Sequence, residues 1–201
     1  EPVEQEAQIR LREKLQNHKG QDSVRVFRPA DADETTVCWA MAMENTNTPT
    51  ALILSRQGIA KLPAGNNYEE ARKGAYIVAG SDENPDVILV ASGSEVSTLE
   101  SGCEALRRDG IKVRVVSAPS EGLFRRQSAE YQEAVLPYNV KKFGMTAGLP
   151  CTLEGLVGIG PNSKVFGMKS FGFSAPYKVL DEKLGYTGEN VYNQVKEFLN
   201  R

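Results

Sequence analysis

The sequence predicts an α/β protein: a partial parallel-sheet unit, then a second unit that starts afresh. Three stretches carry this reading. Ala51-Leu52-Ile53-Leu54 is an apolar run that follows Pro49 and is cut off by Ser55-Arg56-Gln57. Such a run, bounded by turn signals, reads as a buried strand of a parallel sheet. Val87-Ile88-Leu89-Val90-Ala91 is a second run of the same kind. After it, Ser92-Gly93-Ser94-Glu95 turns the chain into a helix to about Arg108, Gly110 stops that helix, and Val113–Val116 forms the next strand. Strand, helix and strand in that order make a βαβ unit with a right-handed crossover.

The remaining elements follow from local signals. Ala7, Ile9, Leu11 and Leu15 among charges predict an amphipathic helix over Glu4–Leu15, punctuated by Gly20. Val24-Arg25-Val26-Phe27 alternates like a strand and stops at Pro29. Asp31 or Asp33 can cap the next helix, which carries Val37, Trp39, Met41 and Met43. Helix, strand, helix, strand is half of a parallel α/β unit. From Lys61 to Asn84 the chain is polar and loop-like, although Gly74–Val78 can form a short strand. Further on, Ser128 caps a helix to about Leu136, and Pro137 ends it. Phe143–Ala147 and Lys164–Met168 are weaker strands, with a short helix near Leu153–Val157 between them. Ser174 is expected to cap Ala175–Leu184, and Thr187 a closing helix through Val191, Val195 and Leu199. Phe166, Phe171, Phe173 and Tyr177 read as core aromatics.

Composition narrows the function classes. The chain has 201 residues, 40% hydrophobic and 25% charged, which is ordinary for a soluble protein with a real core. A net charge of −2 argues against a nucleic-acid footprint. No apolar run approaches the roughly 20 residues of a membrane span. The first residues, Glu-Pro-Val-Glu-Gln-Glu, do not resemble a signal peptide, and without an initiator Met residue 1 is not expected to be the translation start. Cys38, Cys103 and Cys151 lie far apart and read as buried small hydrophobes of a cytoplasmic protein. His18, the single histidine, sits in a polar loop, so no Ser-His-Asp or Cys-His site can be assembled. No catalytic, metal-binding or cofactor-binding residue is assigned.

Two candidates remain for ligand contact. Arg56 lies at the carboxyl end of a predicted strand, where ligands of open α/β sheets sit. Its planar fork can take a phosphate bidentately. From the residues alone, a solvated Arg in a surface ion pair is the more common outcome. Ser92–Glu95 can form an anion cradle at a helix N-terminus. Yet Glu95 puts a negative charge there, and the spacing is not that of a dinucleotide or phosphate loop, so a capped turn is favoured.

A series of motifs resembles the transketolase family. Arg28-Pro29-Ala30-Asp31-Ala32-Asp33-Glu34 and Pro49–Gln57 look like the later part of its pyrimidine-binding domain. Ala91–Val96, Val115–Ser120, Phe124, Gln127, Tyr131, Val135-Leu136-Pro137, Phe171–Pro176 and Gly185-Tyr186-Thr187 look like its C-terminal domain. The match is collinear over essentially the whole chain. Thr146-Ala147-Gly148 stands where the family usually has Glu-Ala-Gly, and Tyr186 where Phe is usual.

The resemblance implies residues 1–60 as the second part of a pyrimidine-binding domain and 61–84 as a linker. Residues 85–201 would then be a three-layer α/β/α C-terminal domain. It implies a parent enzyme of the pentose phosphate pathway that moves a two-carbon ketol unit between sugar phosphates. That enzyme would use thiamine diphosphate and a divalent metal such as Mg. Arg56 becomes the substrate-phosphate anchor. The metal ligands and the glutamate that activates the aminopyrimidine lie, by resemblance, in a missing N-terminal portion. The chain is therefore expected to be inactive and cofactor-free alone, and a shortened or proteolysed product rather than one half of a two-subunit enzyme. A homodimer is expected. The rival readings are a non-catalytic dimerisation module and a regulatory anion-binding module.

Overall fold

The computed structural model describes residues 2–80 and 84–200. Ser81–Glu83, part of the expected linker, lie outside the described residues, as do Glu1 and Arg201. In chain order the elements of the first part are α1 (Gln5–Arg12), β1 (Arg25–Phe27), α2 (Ala32–Glu44), β2 (Thr50–Leu52), a 3-10 helix (Gly65–Lys73) and β3 (Tyr76–Ala79). Then come β4 (Val87–Ala91), α3 (Glu95–Arg108), β5 (Val113–Ser117), α4 (Glu121–Phe124) and α5 (Ala129–Val135). The chain closes with β6 (Lys141–Met145), α6 (Cys151–Val157), β7 (Ser163–Phe166), α7 (Tyr177–Leu184) and α8 (Gly188–Leu199).

Two sheets form. β1 and β2 pair in parallel, Phe27 opposite Leu52. The larger sheet has the order β3-β5-β4-β6-β7. Within it β5, β4, β6 and β7 are parallel, and β3 runs antiparallel along the β5 edge. All five residues of β4 are buried, because that central strand is covered on both faces. Its alternation sorts them. Val87, Leu89 and Ala91 face one core with Leu99, Leu106 of α3 and Val195, Phe198 of α8. Ile88 and Val90 face the other, with Phe124 of α4, Val135 of α5 and Leu153 and Leu156 of α6. This is the three-layer α/β/α arrangement. Phe27, Val37, Cys38 and Met41 of the first part join the α3/α8 core.

Caps set the helix starts. Asp31, not Asp33, caps α2, its carboxylate accepting the Glu34 N–H at 2.9 Å. The other Asp31 oxygen accepts the Leu62 N–H, tying the 3-10 region to α2. Ser128 and Thr187 cap α5 and α8 as expected. Several expectations change. α1 ends at Arg12 rather than Leu15. The expected Pro49–Gln57 strand pairs over Thr50–Leu52 alone and is half-buried, because its sheet has two strands and little covers it. Leu54 is 52% exposed. The region after Lys61 holds the 3-10 helix and β3 instead of loop alone. Pro176, whose ring fixes φ, stands at the N-cap of α7 in place of Ser174, and α7 starts at Tyr177. Phe171, Phe173 and Tyr177 are surface residues: α7 buries no residue completely, and Phe173 and Tyr177 border an open cavity instead of a packed layer. Phe166 is partly covered, packed edge-on against Tyr186 at 5.4 Å. Cys38 and Cys103 are buried, but Cys151 opens α6 in an exposed position. Among the described residues no helix is long and apolar enough to cross a membrane.

Candidate functional site

Parallel sheets present ligands beyond the carboxyl ends of their strands, where strand order reverses. Here β4 runs between β5 and β6, so the reversal lies above the loops Ser92–Glu95 and Thr146–Gly148. A cavity of about 430 Å³ opens there. Its walls come from Val3 and the start of α1 (Glu6), from the segment after β2 (Ile53, Gln57) and from α7 (Asp181). A larger space of about 640 Å³ lies elsewhere, bounded by Tyr138, Lys142 and Ser163. Lys142 Nζ is already engaged there with the carbonyls of Pro137, Tyr138 and Val140, and that space lies towards the amino ends of β6 and β7. Position on the sheet therefore favours the smaller cavity.

A buried ion cluster forms the cavity floor. The Arg28 guanidinium donates to Glu95 Oε2 at 2.5 Å and to the Ser92 carbonyl, and its Nε lies 3.4 Å from Glu6 Oε2. Glu6 also takes Arg10 Nε at 2.9 Å. Burial works against the charge on Arg28, but Glu95 and then Glu6 outweigh it and hold the guanidinium above its ordinary pKa. Burial raises the carboxyl pKa of Asp181, and the nearby Glu95 adds to this. The loop Thr146–Gly148 is held by hydrogen bonds. The Thr146 carbonyl accepts the Tyr186 hydroxyl at 2.8 Å, and its own hydroxyl accepts the Gly148 N–H.

Arg56 stands in a bend four residues after β2 and is exposed. It makes no hydrogen bond or ion pair with another described residue. Its neighbour Gln57 lines the cavity, and Arg56 does not. The Ser92–Glu95 turn is neither an open anion cradle nor a side-chain cap. Its carboxylate and a carbonyl take Arg28, and the Ser94 hydroxyl donates to Glu95 instead of capping α3. His18 is exposed in a turn. Sequence reasoning missed Arg28, Glu6 and Glu95 as a unit. The available signal was a charged residue placed directly after the β1 alternation and before Pro29.

The family model for the transketolase-like TK C-terminal domain matches residues 74–187. The chain belongs to the transketolase family. A transketolase of Staphylococcus aureus strain MW2 is 41% identical over 198 residues, covering 97% of this chain and 28% of that protein. A solved transketolase from Leishmania mexicana aligns with 100% of this chain and 28% of its own length, with a TM-score of 0.85 and 36% identity. A Pichia stipitis transketolase complexed with sedoheptulose-7-phosphate gives a TM-score of 0.82 at 31% identity, over 100% of this chain and 27% of that one. The chain thus spans about 28% of the length of the curated relatives it matches.

Transketolase membership implies thiamine diphosphate and a divalent metal, so the donor chemistry can be tested. Hard divalent cations need several converging oxygen ligands. Among the described residues no group of three or more His, Cys, Asp or Glu could hold a metal ion. The residues present do not fit that metal, and no step through it is derived.

Proposed function

We propose that this chain supplies the C-terminal portion of a transketolase: residues 1–60 as the second part of the pyrimidine-binding domain, 61–84 as the connection, its β3 paired into the larger sheet, and 85–201 as the C-terminal domain. The complete enzyme moves a two-carbon ketol unit between sugar phosphates, and thiamine diphosphate supplies the bond-making chemistry. This chain's own part is to hold the substrate phosphate through Arg56 and to support assembly. The observation that carries the reading is the state of Arg56. It is a permanent charge four residues beyond the carboxyl end of the parallel strand β2, exposed, without a partner among the described residues, next in sequence to a cavity-lining residue. Such a group meets a dianionic phosphate without first breaking another ion pair. The Pichia relative's complex with a sugar phosphate agrees with that ligand class.

The metal and cofactor are carried by a preceding portion of the enzyme. The purified chain therefore gives no turnover of sugar phosphates in a coupled assay, and activity appears when an N-terminal transketolase portion is added. Turnover by the chain alone, or none with the added portion, sinks the reading. A cytoplasmic location and a homodimer belong to the same proposal. Assembly has its own support: Trp39, Met43 and Leu54 are 49, 76 and 52% exposed on α2 and just after β2. Sedimentation at micromolar concentration tests it, and a strict monomer, alone and in the reconstituted enzyme, counts against the assembly role.

A further inference from the structure

The crevice above β4 is where a sheet of this order receives its ligand. Its floor is built by the chain itself. Arg28 enters it from the end of β1, and both its backbone and its side chain are held by the larger sheet. Its N–H donates to the Pro119 carbonyl at 2.8 Å, just beyond β5, and its carbonyl accepts the Gly93 N–H at 3.0 Å, just beyond β4. Its guanidinium takes the Ser92 carbonyl and Glu95, and Glu95 also accepts the Ala147 N–H at 3.2 Å, beyond β6. Arg28 is thereby fastened to the ends of three adjacent strands.

Gly93 shows how close this fit is. Its φ is +63°, a region that disfavours side chains, and a Cβ there would lie 2.6 Å from the Arg28 guanidinium carbon. The anchorage passes to the neighbouring strand through one residue. Phe27, next to Arg28, accepts the Ile53 N–H at 2.8 Å and pairs with Leu52. Ile53 begins the short segment that carries Arg56, and Ile53 and Gln57 line the same cavity as Arg28.

We propose that Arg28 is a positioning residue: it lays its guanidinium on the floor of the ligand crevice of the five-stranded sheet and so fixes where the Ile53–Gln57 segment presents Arg56. The phosphate part of this inference rests on the reading of Arg56 given above; the mechanical part does not. A simple fold-stabilising ion pair would raise amide exchange everywhere when removed. A positioning residue changes the segment it holds and leaves the central strand alone.

The test compares this chain with Arg28→Met, Glu95→Gln and Arg56→Ala. Amide exchange is followed at Ile53, with Leu89 and Val90 of β4 as internal reference. Inorganic phosphate is titrated against the Arg56 Nε–H resonance, with the Ile53 and Gln57 amides reporting where that resonance is lost. Arg28→Met and Glu95→Gln are expected to speed Ile53 exchange about tenfold with β4 unchanged, and to weaken phosphate binding several-fold. Arg56→Ala removes the phosphate response and leaves Ile53 exchange as it was. If Arg28→Met does not fold, Glu95→Gln decides. Unchanged Ile53 exchange, or an equal rise at Ile53 and β4, overturns the proposal. A wild-type chain blind to phosphate, with Ile53 still released by the variants, overturns the phosphate anchor and keeps Arg28 as the positioning residue.

Discussion

The Tyr76 hydroxyl donates a 2.8 Å hydrogen bond to the Glu34 carboxylate, joining β3 of the larger sheet to the first turn of α2. Glu34 is 0% exposed, and its second oxygen accepts the Ala30 N–H at 2.7 Å. Together with the Asp31 cap, this is a variant of the capping box, with Ala30 in place of the cap residue's own N–H. Burial nevertheless dominates and pushes the Glu34 carboxyl from 4.5 up to about 7, against the hydrogen bonds that lower it.

A pH dependence follows from that buried acid. Below its ordinary value of 4.5 Glu34 is protonated in both folded and unfolded chains and costs nothing. Between 4.5 and about 7 the unfolded chain loses the proton first, so this group's contribution to stability falls as pH rises. Above that window the penalty is constant, on the order of 3 kcal/mol. Glu34→Gln can still accept from Ala30 and donate to Tyr76, and it has no charge to bury. Urea unfolding from pH 4 to 8 should show the variant gaining on the wild type through this window and no further above it. Parallel curves would show that Glu34 is not the group responsible.

Arg56 carries the ligand prediction. In a complete transketolase, a charge-assisted contact from Arg56 to the substrate phosphate is worth roughly 1.5–3 kcal/mol. Arg56→Ala should raise KM for phosphorylated donors about ten- to hundredfold and change kcat less, because the contact is made in ground and transition states alike. A non-phosphorylated ketose should be affected little. Identical kinetics for variant and wild type would remove Arg56 from the site.

Gly102 gives a packing prediction. α3 and α8 approach so closely that a Cβ on Gly102 would lie 2.7 Å from Val191 Cγ1 and 2.8 Å from the Gly188 carbonyl oxygen. Val191 is fully buried and cannot move aside. Overpacking of this kind costs about 1–3 kcal/mol, more than the roughly 1 kcal/mol that Ala gains over Gly in a helix. Gly102→Ala should lower the unfolding free energy measured in urea by a net amount on the order of 1 kcal/mol. Gly58, with nothing within 4 Å of its added Cβ, supplies the control, and Gly58→Ala should be close to neutral.

Local chemistry by itself determined a good part of this protein. The β4 run, the βαβ step to β5, and the caps Ser128 and Thr187 were legible because each depends on residues within a few positions of one another, and the α2 cap was narrowed to Asp31 or Asp33. Ordered motifs along the chain likewise pointed to the family that the comparisons show. Arg56 was expected at the end of the Pro49–Gln57 strand, but β2 stops at Leu52 and leaves it in a bend four residues further on.

Only the tertiary structure decided what covers each apolar surface and what meets each charge. Periodicity marks an apolar face without saying whether another layer lies on it, so Leu54, Phe171 and Phe173 read as core and stand in solvent. It likewise leaves open which end of the 61–84 stretch joins the sheet, and β3 pairs antiparallel to β5, Tyr76 lying opposite Ser117 from 41 positions away. Ion partners are set by how strands stack, not by sequence distance. Glu95 meets Arg28 from 67 residues away and Tyr76 meets Glu34 from 42, since only the folded chain brings the end of β1 above β4 and α2 beside β3.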